Sequence, residues 1–161
     1  NFYKPNKDKD NVILKDVMED CLAVIEKSLE NNNIKVEKNY NSDTILNIYS
    51  RELMQVYINI IKNSKEALLE NKIKNSKIII DIYEDEDNII TDIKDNGLGI
   101  QETIIHKVFD PYFTTKDLSS GTGLGLYMSK MIVEKHIHGQ ISVQNITSGA
   151  CFTILLPKDK K

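Results

Sequence analysis

One carboxylate is aimed at the core where a predicted strand ends. Residues 88–94 alternate so that Ile89, Thr91 and Ile93 share one face, and Asp95 continues that face. An isolated Asp-x-Gly-x-Gly sequence is often only a strand that ends in a turn, and that alternative remains open here. An unpaired carboxylate in a core is costly, however, so the inward position of Asp95 favours a role in binding.

Three glycines precede and open a predicted helix. The free backbone N–H groups near Gly121, Gly123 and Gly125, together with the helix N-terminus, could hold anionic oxygens such as those of phosphate. Glycines with this spacing also mark any flexible loop. No parallel-sheet pattern surrounds them and no Gly-Lys-Ser or Gly-Lys-Thr follows, which excludes dinucleotide-binding and Walker-type loops.

Asn59, Asn63 and Glu66 form a polar stripe on a second predicted helix. They lie four and three residues apart, so a helix places them together, opposite its apolar side. The spacing alone is typical of a solvent-facing stripe. A ligand-binding stripe is the alternative, and other features of the sequence must decide between the two.

Four segments occur in a fixed order along the chain. They are residues 55–63 (QVYINIIKN), 95–100 (DNGLGI), 109–116 (FDPYFTTK) and 121–126 (GTGLGL). In this order they resemble the N box, first glycine box, F box and second glycine box of the histidine-kinase ATPase family. The resemblance covers roughly residues 12–158, and the pattern around residues 63–67 is similar to the sporulation and nitrogen-regulation branch of sensor kinases.

The resemblance implies a site for ATP and Mg²⁺. The position matching Asn63 supplies an amide oxygen to Mg²⁺, a hard ligand that adds no charge, and Asn59 matches a supporting polar position nearby. The aspartate matching Asp95 accepts a hydrogen bond from the exocyclic amine of adenine. Further cofactor-binding positions are Gly97 and Gly99, which let the backbone turn under the ring, and Ile100 in an apolar wall.

The resemblance also assigns a triphosphate side and a lid. The phosphate-binding candidates are Lys116, Gly121, Thr122, Gly123, Leu124 and Gly125. Residues 110–122 are long for a connection in a compact domain, which predicts a mobile lid over the nucleotide. Lys116 is equally well a solvated surface lysine, and Phe109 and Phe113 are either packing residues or docking residues for a phosphoacceptor helix.

Two positions depart from the family pattern. Glu66 stands where many members carry a basic residue, so Lys62 or Lys65 is a candidate substitute for the phosphate contact. The last glycine box of the family is incomplete in this sequence, because Gly149 is not accompanied by the second glycine that is often found there. We therefore assign no ligand contact at this position.

The chain has three histidines, and none of them is followed by an acidic residue as a phosphoacceptor would be. We expect His136 and His138 to cap a helix C-terminus, where a positive imidazole is favoured by the helix dipole. The opening residues resemble the stretch that leaves the dimerisation helices in this family. The acceptor histidine is therefore expected upstream, in a segment that this sequence does not include.

The elements that position these residues alternate in type. Helices are predicted from Leu14 to the Asn31-Asn32-Asn33 run, from an N-cap at Ser50 to about Glu70, over residues 102–108 and over residues 123–138. Strands are predicted over 34–38, 44–48, 77–84, 88–94, 140–145 and 150–156. This order indicates an α+β fold, a two-layer α/β sandwich with helices on one face of a mixed, mostly antiparallel sheet, and the resemblance names it the Bergerat ATP-binding fold.

The amino-acid composition limits the expected binding partners and the cellular compartment. With 161 residues, a net charge of -3 and a pI near 5.7, the chain is one domain with no broad attraction for nucleic acid or anionic membrane. Cys21 and Cys151 each lie among apolar residues, which favours buried reduced thiols in a cytoplasmic domain. We expect a linker over 1–11, a catalytic domain over 12–158 and a charged tail over 159–161, in a parent protein whose membrane anchorage is open.

The sequence thus predicts the ATP·Mg²⁺-binding catalytic domain of a two-component sensor histidine kinase. Its expected partners are ATP, the phosphoacceptor helices of the parent kinase and, through the parent, a response regulator. The alternatives are a serine kinase of the anti-sigma-factor type and a domain that binds ATP for regulation without transferring phosphate. The hydrolysing ATPases are disfavoured, because they place a glutamate base where this chain has Asn59.

Overall fold

The computed structural model describes residues 8–113 and 125–159. Within these residues the elements are β1 (Asp10–Ile13), α1 (Leu14–Asn31), β2 (Lys35–Tyr40), β3 (Ile45–Ile48), α2 (Ser50–Glu70), β4 (Lys77–Glu84), β5 (Asn88–Asp95), a 3₁₀ turn (Ile105–Lys107), α3 (Gly125–Met131), a π-helical turn (Ile132–His136), β6 (Gln140–Ile146) and β7 (Gly149–Pro157). The periodicity of the sequence predicted α1, α2 and the β4–β5 hairpin to within one or two residues.

Five strands form the main sheet in the order β2-β4-β5-β7-β6. β2 and β4 run parallel, and every other neighbouring pair is antiparallel. The predicted mixed, mostly antiparallel sheet is therefore confirmed. β5 is the central strand, so Asp95 at its C-terminal end lies midway across the sheet.

The helices pack on one face of this sheet. The inward face of β4 and β5 consists of alternate buried residues: Ile78, Ile80, Ile82, Ile89, Thr91 and Ile93. α2 turns its apolar side to this face, and the Tyr57 hydroxyl lies 2.8 Å from the Thr91 hydroxyl, so the hydroxyl of Thr91 is paired within the core. This arrangement confirms the predicted two-layer architecture.

A second, two-stranded sheet joins β1 to β3 in antiparallel register. Asp10 and Asn11 belong to β1, so this strand begins inside the segment that was predicted as a linker over residues 1–11. The predicted capping by Ser50 was wrong, because Ser50 is the first helical residue. Its hydroxyl donates to Asp10 Oδ2 at 2.6 Å, and no side chain caps α2.

The later helices are shorter than predicted. The helix expected over 102–108 is only the 3₁₀ turn Ile105–Lys107. The helix expected over 123–138 is α3 followed by the π-helical turn, and it ends before His138, whose φ is +62°. A positive φ at a residue other than glycine breaks the helical hydrogen-bond ladder, which accounts for the earlier end.

Both cysteines are free and buried, as predicted. Burial raises the pKa of the Cys21 thiol to about 12 and also raises the pKa of the Cys151 thiol. Within the described residues, none of the helices is long and apolar enough to cross a bilayer.

Candidate nucleotide-binding site

A cleft of about 480 Å³ opens between α2, the loop after β5, the 3₁₀ turn and the start of α3. This volume is within the range of small-molecule sites. Its walls bring together predicted site residues that are far apart in the sequence: Asn59, Asn63, Glu66, Asp95, Gly97, Gly99, Ile100, Phe113 and Gly125. Four other predicted positions in the second glycine box, Gly121, Thr122, Gly123 and Leu124, lie outside the described residues, as do Lys116 and most of the predicted lid.

Asp95 lies at the inner end of the cleft with one oxygen occupied and the other open. Oδ1 accepts hydrogen bonds from the backbone N–H of Gly97 at 2.9 Å and of Ala150 at 3.4 Å. No hydrogen bond from the described residues reaches Oδ2. Burial raises the pKa of the Asp95 carboxyl, and the two backbone donors partly oppose that rise. A ligand donor at Oδ2 would complete the pairing of this buried group.

Ser64 shares the inner end of the cleft with Asp95. Its side chain is buried, and its hydroxyl makes no hydrogen bond shorter than 3.5 Å to another described residue. It is nevertheless close enough to lower the pKa of Asp95 slightly. Sequence reasoning passed over Ser64, although a serine directly after Asn63 on the inward side of α2 was a usable signal.

Two positions after β5 require glycine, because neighbouring atoms lie too close for a side chain. A side chain at Gly97 would put its Cβ 3.1 Å from Asp95 Oδ1 and 3.3 Å from Ala67 Cβ. Gly99 has φ +80°, and a Cβ there would lie 2.7 Å from Asn145 Oδ1. Gly97 therefore keeps the Asp95 carboxylate accessible, and Gly99 lets the loop lie against β6.

The polar stripe of α2 lines the same cleft. Asn63 is partly exposed there, and its side chain makes no hydrogen bond to another described residue. Asn59 is engaged differently, because its amide nitrogen lies 3.3 Å from both the Gly125 carbonyl and the Ser129 hydroxyl, so it ties α2 to the start of α3. The stripe therefore lines the cleft, and its role in binding a ligand remains a prediction.

The two candidate lysines of α2 point to different places. Lys62 is exposed and lines the cleft. Lys65 donates to Ser28 Oγ on α1 at 2.7 Å and is not part of the cleft wall. Of these two, Lys62 alone is placed to meet an anionic ligand.

Phe109 is a packing residue in this structure, whereas Phe113 lines the cleft. The Phe109 ring meets Phe152 edge to face at 6.1 Å between centroids, and the Lys130 ammonium lies 5.6 Å from its centroid. Phe152 lies in the cleft wall. Phe109 thus supports that wall from behind.

None of the three histidines lines the cleft. His136 is the last residue of the π-helical turn, and its Nδ1 lies 2.9 Å from Oε1 of the buried Glu52, at the opposite end of α2 from the loop after β5. His106 and His138 are exposed. No imidazole of the chain is therefore placed to react with a group bound in the cleft.

The described residues contain no group of three or more His, Cys, Asp or Glu side chains that could hold a metal ion by themselves. A metal ion in the cleft would need ligand atoms from a bound molecule. The free amide of Asn63 fits such an ion, since a neutral oxygen donor can complete a coordination shell made largely of phosphate oxygens and water.

Residues 48–160 match the protein family described as "Histidine kinase-, DNA gyrase B-, and HSP90-like ATPase". Sporulation kinase A of Bacillus subtilis (strain 168) is 34% identical over 155 residues, which is 95% of this chain and 24% of that protein. The signal transduction histidine-protein kinase AtoS of Escherichia coli (strain K12) is 43% identical over 111 residues, 66% of this chain and 17% of that protein. The chain thus spans about a quarter or less of these relatives.

Solved structures show the same fold. The nucleotide-free catalytic domain of the histidine kinase ThkA superposes with a TM-score of 0.82 at 27% identity, covering 94% of this chain and 96% of that one. ThkA solved in complex with the response regulator TrrA superposes with a TM-score of 0.78 at 24% identity, covering 94% of this chain and 42% of that one.

Proposed function

Because the chain belongs to the family of histidine kinase-, DNA gyrase B- and HSP90-like ATPases, we propose that it is the ATP-binding catalytic domain of a two-component sensor histidine kinase. The observation that carries the proposal is Asp95, a buried carboxylate in the cleft wall with one oxygen held by backbone N–H groups and the other without a hydrogen bond from the described residues. A purine amine is a donor of the required kind, and Gly97 leaves room for a flat ring beside it.

In this proposal, different residues along the cleft bind different parts of ATP. Asp95 accepts the adenine amine, and Ile100 contributes an apolar surface beside the base. At the other end, Asn63 offers its amide oxygen, Lys62 offers a positive charge, and Asn59 fixes the start of α3. Asn63 would hold Mg²⁺, which would supply neutralisation of the phosphate charge during transfer. The contribution of the chain is alignment and charge balance, since none of the described residues that line the cleft is a histidine.

The acceptor in this proposal is an imidazole nitrogen on a separate helical segment of the parent protein. It attacks the γ-phosphorus in line, a P–N bond forms, the P–O bond to ADP breaks, and the imidazole proton passes to solvent. We place the catalytic unit in the cytoplasm, from β1 to about residue 158, with the phosphoacceptor helices before it and the charged tail after it. A response regulator would then receive the phosphoryl group, a proposal in keeping with the solved complex of ThkA with the response regulator TrrA.

The names of AtoS and ThkA, a histidine-protein kinase and a histidine kinase, favour histidine over serine as the acceptor. A function as a hydrolysing ATPase is not favoured either. Asn59 is hydrogen-bonded to Gly125 and Ser129, and an asparagine has no carboxylate that could activate water.

Labelling with γ-labelled ATP tests the transfer step. The chain alone should remain unlabelled, because its three histidines lie outside the cleft. Addition of the helical segment that carries the acceptor histidine should give label that is lost in acid and kept in base, as for a phosphoramidate. Strong acid-labile label on the chain alone would contradict the proposal, and transfer only to a serine of a partner protein would favour the anti-sigma-factor type of kinase.

A further inference from the structure

The side chain of Asn145 on β6 makes hydrogen bonds to both the backbone N–H and the backbone carbonyl of Ile100. Ile100 belongs to the loop of residues 96–100 after β5, here called the glycine loop. Ile100 N–H donates to Asn145 Oδ1 at 2.8 Å, and Asn145 Nδ2 donates to the Ile100 carbonyl at 2.6 Å. The same Nδ2 group lies 3.0 Å from Glu102 Oε1. The carboxamide thus pairs with Ile100 as a neighbouring strand would, although Ile100 lies outside any strand.

The segment that Asn145 holds has an unfavourable backbone. Leu98 has φ +76° and Gly99 has φ +80°, and the Leu98 side chain is 67% exposed, so its own packing does little to fix it. A non-glycine residue in the left-handed region persists only where its surroundings impose it. The imposing contacts must therefore come from outside the loop.

Those contacts come mainly from the β6–β7 hairpin. Besides the Asn145 pair, Leu98 N–H donates to the Ser148 carbonyl at 2.9 Å. Gly149 lies against the Asp95 carbonyl so closely that any side chain there would collide with it. On the α2 side, Asn71 Nδ2 donates to the Gly97 carbonyl at 2.8 Å. The loop is therefore fixed at Gly97 by α2 and at Leu98 and Ile100 by the hairpin.

We propose that Asn145 is a positioning residue for the base-binding half of the cleft: it holds Ile100 and the left-handed turn before it where they can contact the purine. This inference rests on the proposed function of the cleft as an ATP site. Asn145 does not line the cleft, so it acts through Ile100, which does. Without the Asn145 carboxamide, Leu98 can relax toward negative φ and carry Ile100 away from the base.

The test compares Asn145→Ala with Gln144→Ala, a substitution of the exposed neighbour on the same strand. Amide hydrogen exchange by NMR should show that Ile100 loses protection in Asn145→Ala, while core amides such as Ile80 and Ile93 keep theirs. Calorimetry should show AMP and ATP binding weakened by the same factor, roughly threefold to tenfold, because the loop contacts only the base end. Gln144→Ala should change neither measurement.

A rescue variant separates positioning from general stability. Asn145→Asp keeps the acceptor for Ile100 N–H but replaces the donor to the Ile100 carbonyl with an acceptor, and combining it with Glu102→Gln replaces the nearby carboxylate with a donor. Relative to Asn145→Ala, this double variant should regain part of the Ile100 protection and part of the affinity for both nucleotides. It also keeps the test decisive if Asn145→Ala does not fold.

Three outcomes would overturn the inference. They are unchanged protection of Ile100 in Asn145→Ala, lost protection with unchanged affinity for AMP and ATP, and a loss confined to ATP. If the wild-type chain binds neither AMP nor ATP, the proposed function fails first, and the exchange data then report only whether Asn145 holds the loop.

Discussion

The two ends of the cleft are built on different principles. At the base end, where we propose that adenine binds, Asp95, the glycine loop and the β6–β7 hairpin are joined by hydrogen bonds between side chains and backbone groups, and Asp95 is 7% exposed. At the phosphate end, the described groups are side chains of α2 with fewer fixed partners, such as the free amide of Asn63 and the exposed Lys62. The base end is therefore preorganised, whereas the phosphate end depends on ligand atoms to complete it.

This difference predicts a separation of effects between AMP and ATP. Substitutions at the base end should weaken both ligands equally, because both carry adenosine. Substitutions at the phosphate end should weaken ATP and leave AMP almost unchanged.

The largest effect is expected for Asp95→Ala. Loss of a charged hydrogen bond to adenine should weaken binding of AMP and ATP alike by about tenfold to a hundredfold, measured by calorimetry. Asp92→Asn is the matched control, since Asp92 lies on the opposite face of β5 and is paired with Tyr83 and Thr153. A folded Asp95→Ala variant that binds AMP and ATP as tightly as the wild type would contradict the proposed role of Asp95 at the base end.

Asn63→Ala should have the next largest effect, confined to ATP in the presence of Mg²⁺. We expect ATP affinity to fall by about tenfold with Mg²⁺ and to lose most of its response to Mg²⁺, the order of one lost hydrogen bond to a charged group. AMP affinity of the same variant is the internal control. If ATP binding by the variant responds to Mg²⁺ as strongly as in the wild type, Asn63 is not a metal ligand.

Lys62→Ala should weaken ATP binding only by about twofold to fivefold, because an exposed ion pair is worth little. The effect should shrink as salt is raised, which titrations at two ionic strengths will show. Lys65→Ala is its counterpart on the same helix, and we expect no change in ATP affinity because Lys65 bonds Ser28 instead. Equal losses in the two variants would mean that the Lys62 effect is only general electrostatics.

The smallest effect concerns the stability of the free protein. The pKa of Asp95 is raised by burial, so stability falls as the pH rises above the unfolded carboxyl pKa, and the loss is complete above the folded pKa. Asp95→Asn should therefore raise the melting temperature at pH 7 while weakening nucleotide binding. The gain should vanish below the ordinary carboxyl pKa of about 4, where Asp95 is protonated in both states. Calorimetric melting at pH 7 and pH 3.5 measures this, and a lower melting temperature at pH 7 would contradict it.

Local patterns in the sequence were sufficient for the scaffold. The three- and four-residue spacing in α1 and α2 and the alternation in β4 and β5 reflect one buried face each, so element type follows directly from the residues. The same alternation predicted that Asp95 points inward, which its burial confirms. The roles of Asp95, Asn63 and the glycines in binding ATP remain predictions.

Contacts between distant residues could not be predicted in this way. Asn145 pairs with Ile100 across 45 residues, and His136 pairs with Glu52 across 84. An asparagine that mimics a strand and a histidine that meets a buried glutamate leave no periodic signal. The pairing of β1 with β3 was missed for the same reason, because a short polar strand has too few apolar residues to show an alternation.

The most direct test of the central claim is a comparison of ATP and GTP binding by the unmodified chain. Guanine presents a carbonyl where adenine presents its amine, so at the open Asp95 Oδ2 it would set an acceptor against an acceptor. Calorimetry in Mg²⁺ should give ATP an affinity at least tenfold higher than GTP. Equal affinities, or no binding of ATP, would contradict the assignment of this cleft as an adenine-reading kinase site.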